Sequence, residues 1–160
     1  MAEQTLHVVL FSGGSGTKTI TEHFARHPQI SLTILINCYD DGHSTGRLRQ
    51  FIPGMLGPSD VRKNINNLMP TGERCYQALR LLSDRRLAVG ASFEESAALI
   101  DRFARLDSAL PEFEQLTLRH ATGFARYCRA FHDYLMTEEG RGNRFDFTDC
   151  ALGNIVFGVW

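Results

Sequence analysis

Residues 6–11, LHVVLF, form a short apolar run that ends at the glycine-rich turn SGGSGT. A brief run rich in Val and Leu, closed by a turn, predicts a buried strand. Residues 17–27, TKTITEHFARH, place Ile20 and Phe24 four apart, the spacing of a helix with one buried face, and Pro28 stops the segment. Residues 31–39, SLTILINCY, are apolar and β-branched, which predicts a second strand. Strand, helix and strand in fewer than 40 residues make a βαβ unit. Such a unit has parallel strands and a right-handed crossover, and its ligands bind beyond the carboxyl ends of the strands.

The pattern then turns helical. Ser59 is expected to cap a helix whose buried stripe is Val61, Ile65 and Leu68. Cys75, Leu79 and Leu82 repeat at helical spacing across residues 72–86. Ser92-Phe93-Glu94-Glu95 is a capping box opening a helix with Phe93, Ala97, Ile100 and Ala104 on one face. Pro111 suits a first helical position. After it, Phe113, Leu116, Phe124, Tyr127, Phe131 and Tyr134 trace an aromatic stripe, read as core. RGNRFDF is a loop, and DCALGNIVFGVW enters a last apolar element. The reading is one nucleotide-binding domain over 1–160. It has ligand loops in 1–70, a helical insertion over 71–140 and a return to the core over 141–160. A parallel sheet of two strands is a poor domain by itself, so further strands are expected downstream.

Composition removes some classes of function. The formal net charge is −1, and no basic field of a nucleic-acid binder is present. No apolar stretch is long enough to cross a bilayer, and the polar start MAEQT does not resemble a signal peptide. A cytoplasmic location is expected. The four cysteines, Cys38, Cys75, Cys128 and Cys150, lie far apart without a C-x-x-C pair and read as reduced thiols.

Polar chemistry gathers after each strand. In SGGSGTKT, Gly13, Gly14 and Gly16 let backbone amides approach a ligand, and the following helix start favours phosphate. The P-loop pattern fails, because Thr17 separates Gly16 from Lys18. The dinucleotide fingerprint fails at Thr19. The SGG opening of an ATP pyrophosphatase loop lacks its Asp-Ser, since Gly16-Thr17 stand there. In DDGHSTGRLR, Asp40 and Asp41 could hold Mg²⁺ or orient a hydroxyl. Neighbours in an extended chain point opposite ways, so the two acids are expected to differ in role. Ser44 and Thr45 can donate to phosphate oxygens, and Arg47 can grip two of them. Lys18 and Arg49 are expected to be solvated, and His43 to be a polar loop residue. GPSDVR, residues 57–62, offers a second helix start for the same ligand, with Ser59, Asp60 and Arg62.

Taken in order, SGGSG at 12–16, DDGHSTGRLR at 40–49, PSDVR at 58–62 and DCALGN at 149–154 resemble one family. It contains the 2-phospho-L-lactate transferases (CofD) and the YvcK-like gluconeogenesis factors. The resemblance implies a Rossmann-like α/β fold with an inserted helical region, the chain being the N-terminal part. It also implies a diphosphate site. Gly13, Gly14, Ser15, Gly16 and Thr17 would cradle phosphates, and Asp40 or Asp41 would serve metal or acceptor. Ser44, Thr45 and Arg47 would support the diphosphate, and Gly153 with Asn154 would complete the wall. The sequence departs from the family pattern at Ser12, Ser15, His43, Ser59 and Asp149-Cys150.

Three functions follow as expectations. The first is a transferase moving a phospho-acyl group from a GDP- or UDP-type donor to a hydroxyl, with Mg²⁺. The second is a non-catalytic UDP-sugar sensor. The third is an adenylating enzyme of the ATP pyrophosphatase type. A homo-oligomer is a possible assembly; neither nucleic acid nor membrane is expected as partner.

Overall fold

A computed structural model of the chain describes residues 5–159. Its order is β1 (Leu6–Ser12), a 3₁₀ turn (Ser15–Thr17), α1 (Lys18–Arg26), β2 (Ile30–Ile36), α2 (His43–Phe51) and α3 (Pro58–Leu68). Then come α4 (Arg74–Asp84), α5 (Phe93–Ala104), a second 3₁₀ turn (Pro111–Phe113), α6 (Leu118–Gly140) and α7 (Leu152–Gly158). The fold is mixed α/β and mostly helical. β1 and β2 pair in parallel, Leu6 opposite Ile30 through Ser12 opposite Ile36, so the βαβ unit read from the pattern is present.

The core lies among the helices. Leu82, Ile100, Phe103, Phe131, Leu135 and Ile155 are almost wholly buried. The capping box of α5 forms as expected: Ser92 N donates to Glu95 Oε2 at 2.8 Å, and Glu95 N donates to Ser92 Oγ at 3.1 Å. Ser92→Ala will cost about 1 kcal/mol, a fall in melting temperature of roughly 2–4 °C for a chain of this size. Ala97, Ile100 and Ala104 are buried on one face of α5, as expected. The 141–147 loop sends Phe145 and Phe147 into the core, their rings 4.9 Å apart and edge to face, while Asp146 between them faces solvent.

Three expectations about burial and one about a helix cap are overturned. β1 is not a buried strand: Val9 and Phe11 are exposed, and its one buried side chain is Ser12. Helix α1 packs on β2, whose residues alternate between half-buried and exposed, so one face of the two-stranded sheet is open. On α1 the buried residue is Thr21, whereas Ile20 is exposed, because α1 meets α3 and β2 through the Thr21 side. The cap of α3 is Gly57, with Pro58 at the first helical position and Ser59 inside the helix. The buried face of α3 is polar, made of Ser59, Asp60, Arg62, Asn64 and Asn66. Its Ile65 and Leu68 instead line a groove of about 430 Å³ against Ile30, Leu32 and Ile34 of β2. A polar face can be buried only when partners meet its atoms, and those partners come from the sheet edge, α4 and α7.

Among the described residues no helix is long and apolar enough to cross a membrane. All four cysteines are free. Burial pushes the Cys128 and Cys150 thiols up to about 12, so neither is a nucleophile.

Candidate functional site

Both polar loops leave the carboxyl ends of the strands, and both meet α3. Ser12 Oγ donates to Asn64 Oδ1 at 2.8 Å and contacts the Thr17 hydroxyl. Asn64 Nδ2 donates to the Gly13 carbonyl at 2.9 Å. Asp60, buried, pairs with Lys63 at 3.2 Å. A Cβ on Gly14 would stand 2.8 Å from Asp60 Oδ1 and 2.9 Å from Lys63 Nζ. The glycine-rich turn is thus laid directly over a buried acid and its cation. Gly13, Ser15 and Gly16 face solvent above them.

The second loop meets the start of the same helix. Gly57 N donates to the Cys38 carbonyl at 2.7 Å. A Cβ on Gly57 would fall 3.1 Å from the Asp40 carbonyl and from Thr45 Cγ2. Asp40 Oδ1 accepts from Gly42 N at 2.9 Å, and its other carboxylate oxygen has no partner among the described residues. Asp41 is ion-paired with Arg49. The two carboxylates therefore have different partners. Arg49 is not solvated, since Asp41 and the Tyr39 carbonyl hold it. Thr45 Oγ1 is buried without a partner among the described residues. Lys18 is exposed; the side chain of His43 lies outside what is described.

The remaining expected residues form a second, buried group. Asn154 Nδ2 donates to Ser44 Oγ at 3.1 Å, and Arg62 Nε donates to Asn154 Oδ1 at 2.8 Å. Arg62 is also ion-paired with Asp84. Burial draws the Arg62 guanidinium below its ordinary pKa, and the Asp84 charge partly restores it. This chain joins α2, α3, α4 and α7. Gly153 lies beside it, packed on Ser83 and Arg62. Ser59 is buried in the first turn of α3. Arg47 turns to the 146–148 loop: its Nε meets Asp146 at 2.9 Å and it donates to the Thr148 carbonyl. Its hydrogen bonds are with that loop and not with the glycine-rich turn.

One further feature is common to the two loops. Helices α1, α2 and α3 all start there, and none has its first amides closed by a side-chain cap. The sequence model described as 2-phospho-L-lactate transferase CofD matches residues 8–117.

The chain belongs to the CofD family. The match covers well over half of the chain and takes in the glycine-rich turn, the Asp40-Asp41 segment and Ser59–Arg62. Gly153 and Asn154 lie beyond it. No curated protein and no solved structure matches the chain.

Within this CofD-family chain, Lys63, Asn64 and Asp84 are site neighbours that motif reading passes over. The signal was available for two of them: Asp60, Lys63, Asn64 and Asn67 recur at helical spacing as a polar stripe. Among the described residues no group of three or more His, Cys, Asp or Glu side chains could hold a metal ion. Mg²⁺ commonly takes only one or two carboxylates, with waters and substrate phosphates completing its shell. The free oxygen of Asp40 fits that role. Asp41 does not while Arg49 holds it.

Proposed function

We propose that the chain binds the diphosphate of a nucleoside-diphosphate donor at the glycine-rich turn. It transfers from that donor a phospho-acyl group, of 2-phospho-L-lactate type, to a hydroxyl acceptor. The observation that carries this reading is the meeting of two glycine-containing loops at α3, with no side-chain cap at the starts of α1, α2 and α3. Helix starts without a side-chain cap favour a polyanion.

Each residue has a role that follows from its place. The amides of Gly13–Thr17 hold phosphate oxygens, and Lys63 adds a cation beneath them. Asp40 would hold Mg²⁺, which would neutralise diphosphate charge when bound. In the transfer, the acceptor oxygen forms a bond to the donor phosphorus. The bond from that phosphorus to the bridging oxygen breaks, and the nucleoside monophosphate leaves with the electron pair. The hydroxyl proton passes to a carboxylate, for which buried Asp60 is the nearest acid to the turn. Phosphoryl-type transfer depends mostly on positioning and charge neutralisation, which these groups supply.

The test is calorimetric titration of GDP and UDP-N-acetylglucosamine, each with and without Mg²⁺. Asp40→Asn is expected to weaken Mg²⁺-dependent binding about tenfold, the worth of one charge-assisted contact of roughly 1.5 kcal/mol. Lys18→Ala should leave it unchanged. Equal effects from both variants would sink the site assignment. One observation favours a binding-only reading, a UDP-sugar sensor: Asp41 and Asp60 are each held by a cation. Recovery of the bound UDP-sugar intact after incubation with Mg²⁺ and acceptors would decide for the sensor.

A further inference from the structure

A cavity of about 230 Å³ opens between α4, α6 and α7. Leu79, Phe124, Tyr127 and Val156 give it an apolar wall, and no carboxylate lines it. Two cations do. Arg119 stands exposed at its edge, and its guanidinium has no partner among the described residues. His120 is fixed there, its Nδ1 3.0 Å from the Thr117 hydroxyl and its ring against Tyr76.

A third observation concerns Gly123, which sits on this wall inside the 23-residue helix α6. Glycine within a helix is unfavourable relative to alanine. Packing does not demand it here, since a Cβ at this position would meet nothing within 4 Å. What the missing side chain leaves is room.

We infer that this cavity is a binding site for a small apolar monocarboxylate of aryl or short alkyl type. Its volume exceeds the roughly 150 Å³ that accepts benzene and falls below the roughly 300 Å³ at which drug-sized sites begin. The occupant therefore carries one ring or a short chain. The apolar wall takes that body, and Arg119 pairs with the carboxylate. The site is independent of the diphosphate reading, because Gly153 alone is common to both sets of residues.

The experiment compares 3-phenylpropionate, 3-phenylpropylamine and 3-phenylpropan-1-ol by titration of the full chain. The acid binds saturably, the alcohol about tenfold more weakly through loss of the charged contact, and the amine does not bind. GDP does not displace the acid. Gly123→Leu fills the cavity and abolishes binding without lowering the melting temperature, and Arg119→Glu abolishes it too. Equal binding of acid and amine, displacement by GDP, or acid binding unchanged in Gly123→Leu would overturn the site, as would no binding of the acid at millimolar concentration. Labelling of the unaltered chain with a diazirine derivative of the acid needs no variant. Adducts within residues 119–127 or 153–157 uphold the assignment, and adducts confined elsewhere overturn it.

Discussion

Arg62→Ala will lower the stability of the chain by about 3 kcal/mol, and urea denaturation will show it as a fall in midpoint. Removing one member of a buried pair typically costs roughly 3–5 kcal/mol, because the other is left unpaired. The lower end applies here, since the Asp84 side chain is half exposed and water can replace the lost arginine. The larger part of the loss lies at Asn154, which is 2% exposed and would keep an unmet carbonyl oxygen. Asp84→Asn will cost less, on the order of 1 kcal/mol, because it leaves the Asn154 contact intact. If Arg62→Ala is nearly neutral in stability but abolishes nucleotide binding, the guanidinium belongs to the ligand rather than to the tie between α3 and α7.

Gly153→Ala will cost about 2–3 kcal/mol, the upper part of the range for overpacking a close contact. A Cβ there would stand 2.6 Å from the Ser83 carbonyl and 2.5 Å from Arg62 Cδ. The carbonyl belongs to the last turn of α4 and cannot swing aside, so relief requires α7 to move away from α4. That movement would also draw Asn154 from Arg62 and Ser44, which couples this variant to the first. The two destabilisations should therefore be less than additive in the double mutant. Gly140→Ala, at the end of α6 with open space around it, is the matched control and should be near neutral. Thermal melts of the three variants check the argument; comparable losses at 140 and 153 would refute the packing explanation.

Much of the architecture could be read from local signals, and the failures share one cause. The βαβ unit was legible because short β-branched runs, a glycine turn and Pro28 are each decided by a few neighbouring residues. The capping box at Ser92 and Glu95 was legible for the same reason. The face of α3 was not. Apolar periodicity shows that Val61, Ile65 and Leu68 lie together, but not whether the core meets that stripe or the opposite one. The opposite one is buried because Asp84 and Asn154, distant in sequence, arrive to satisfy Arg62. Arg49, expected in solvent, is held for a like reason, since Asp41 takes it up only once the loops are placed, as Asp146 takes up Arg47. Phe145 and Phe147 sit in a segment whose glycine, asparagine and charges are those of a loop. Their burial depends on the space left by Phe51 and Phe131.

The candidate site divides along the same line. The order of its motifs, their position after the strand ends and their likeness to the CofD family are properties of the chain read in one dimension, because backbone turns and helix starts are set by adjacent residues. Which polar groups are paired with one another and which stay exposed was decided only by the tertiary structure. Folding consumes Ser44, Arg62 and Asn154 in one buried chain of hydrogen bonds and leaves the glycine-rich turn exposed over Asp60 and Lys63. The physical reason is that a polar atom buried without a partner is costly, so side chains far apart in sequence are matched to one another, and that matching cannot be read from spacing along the chain.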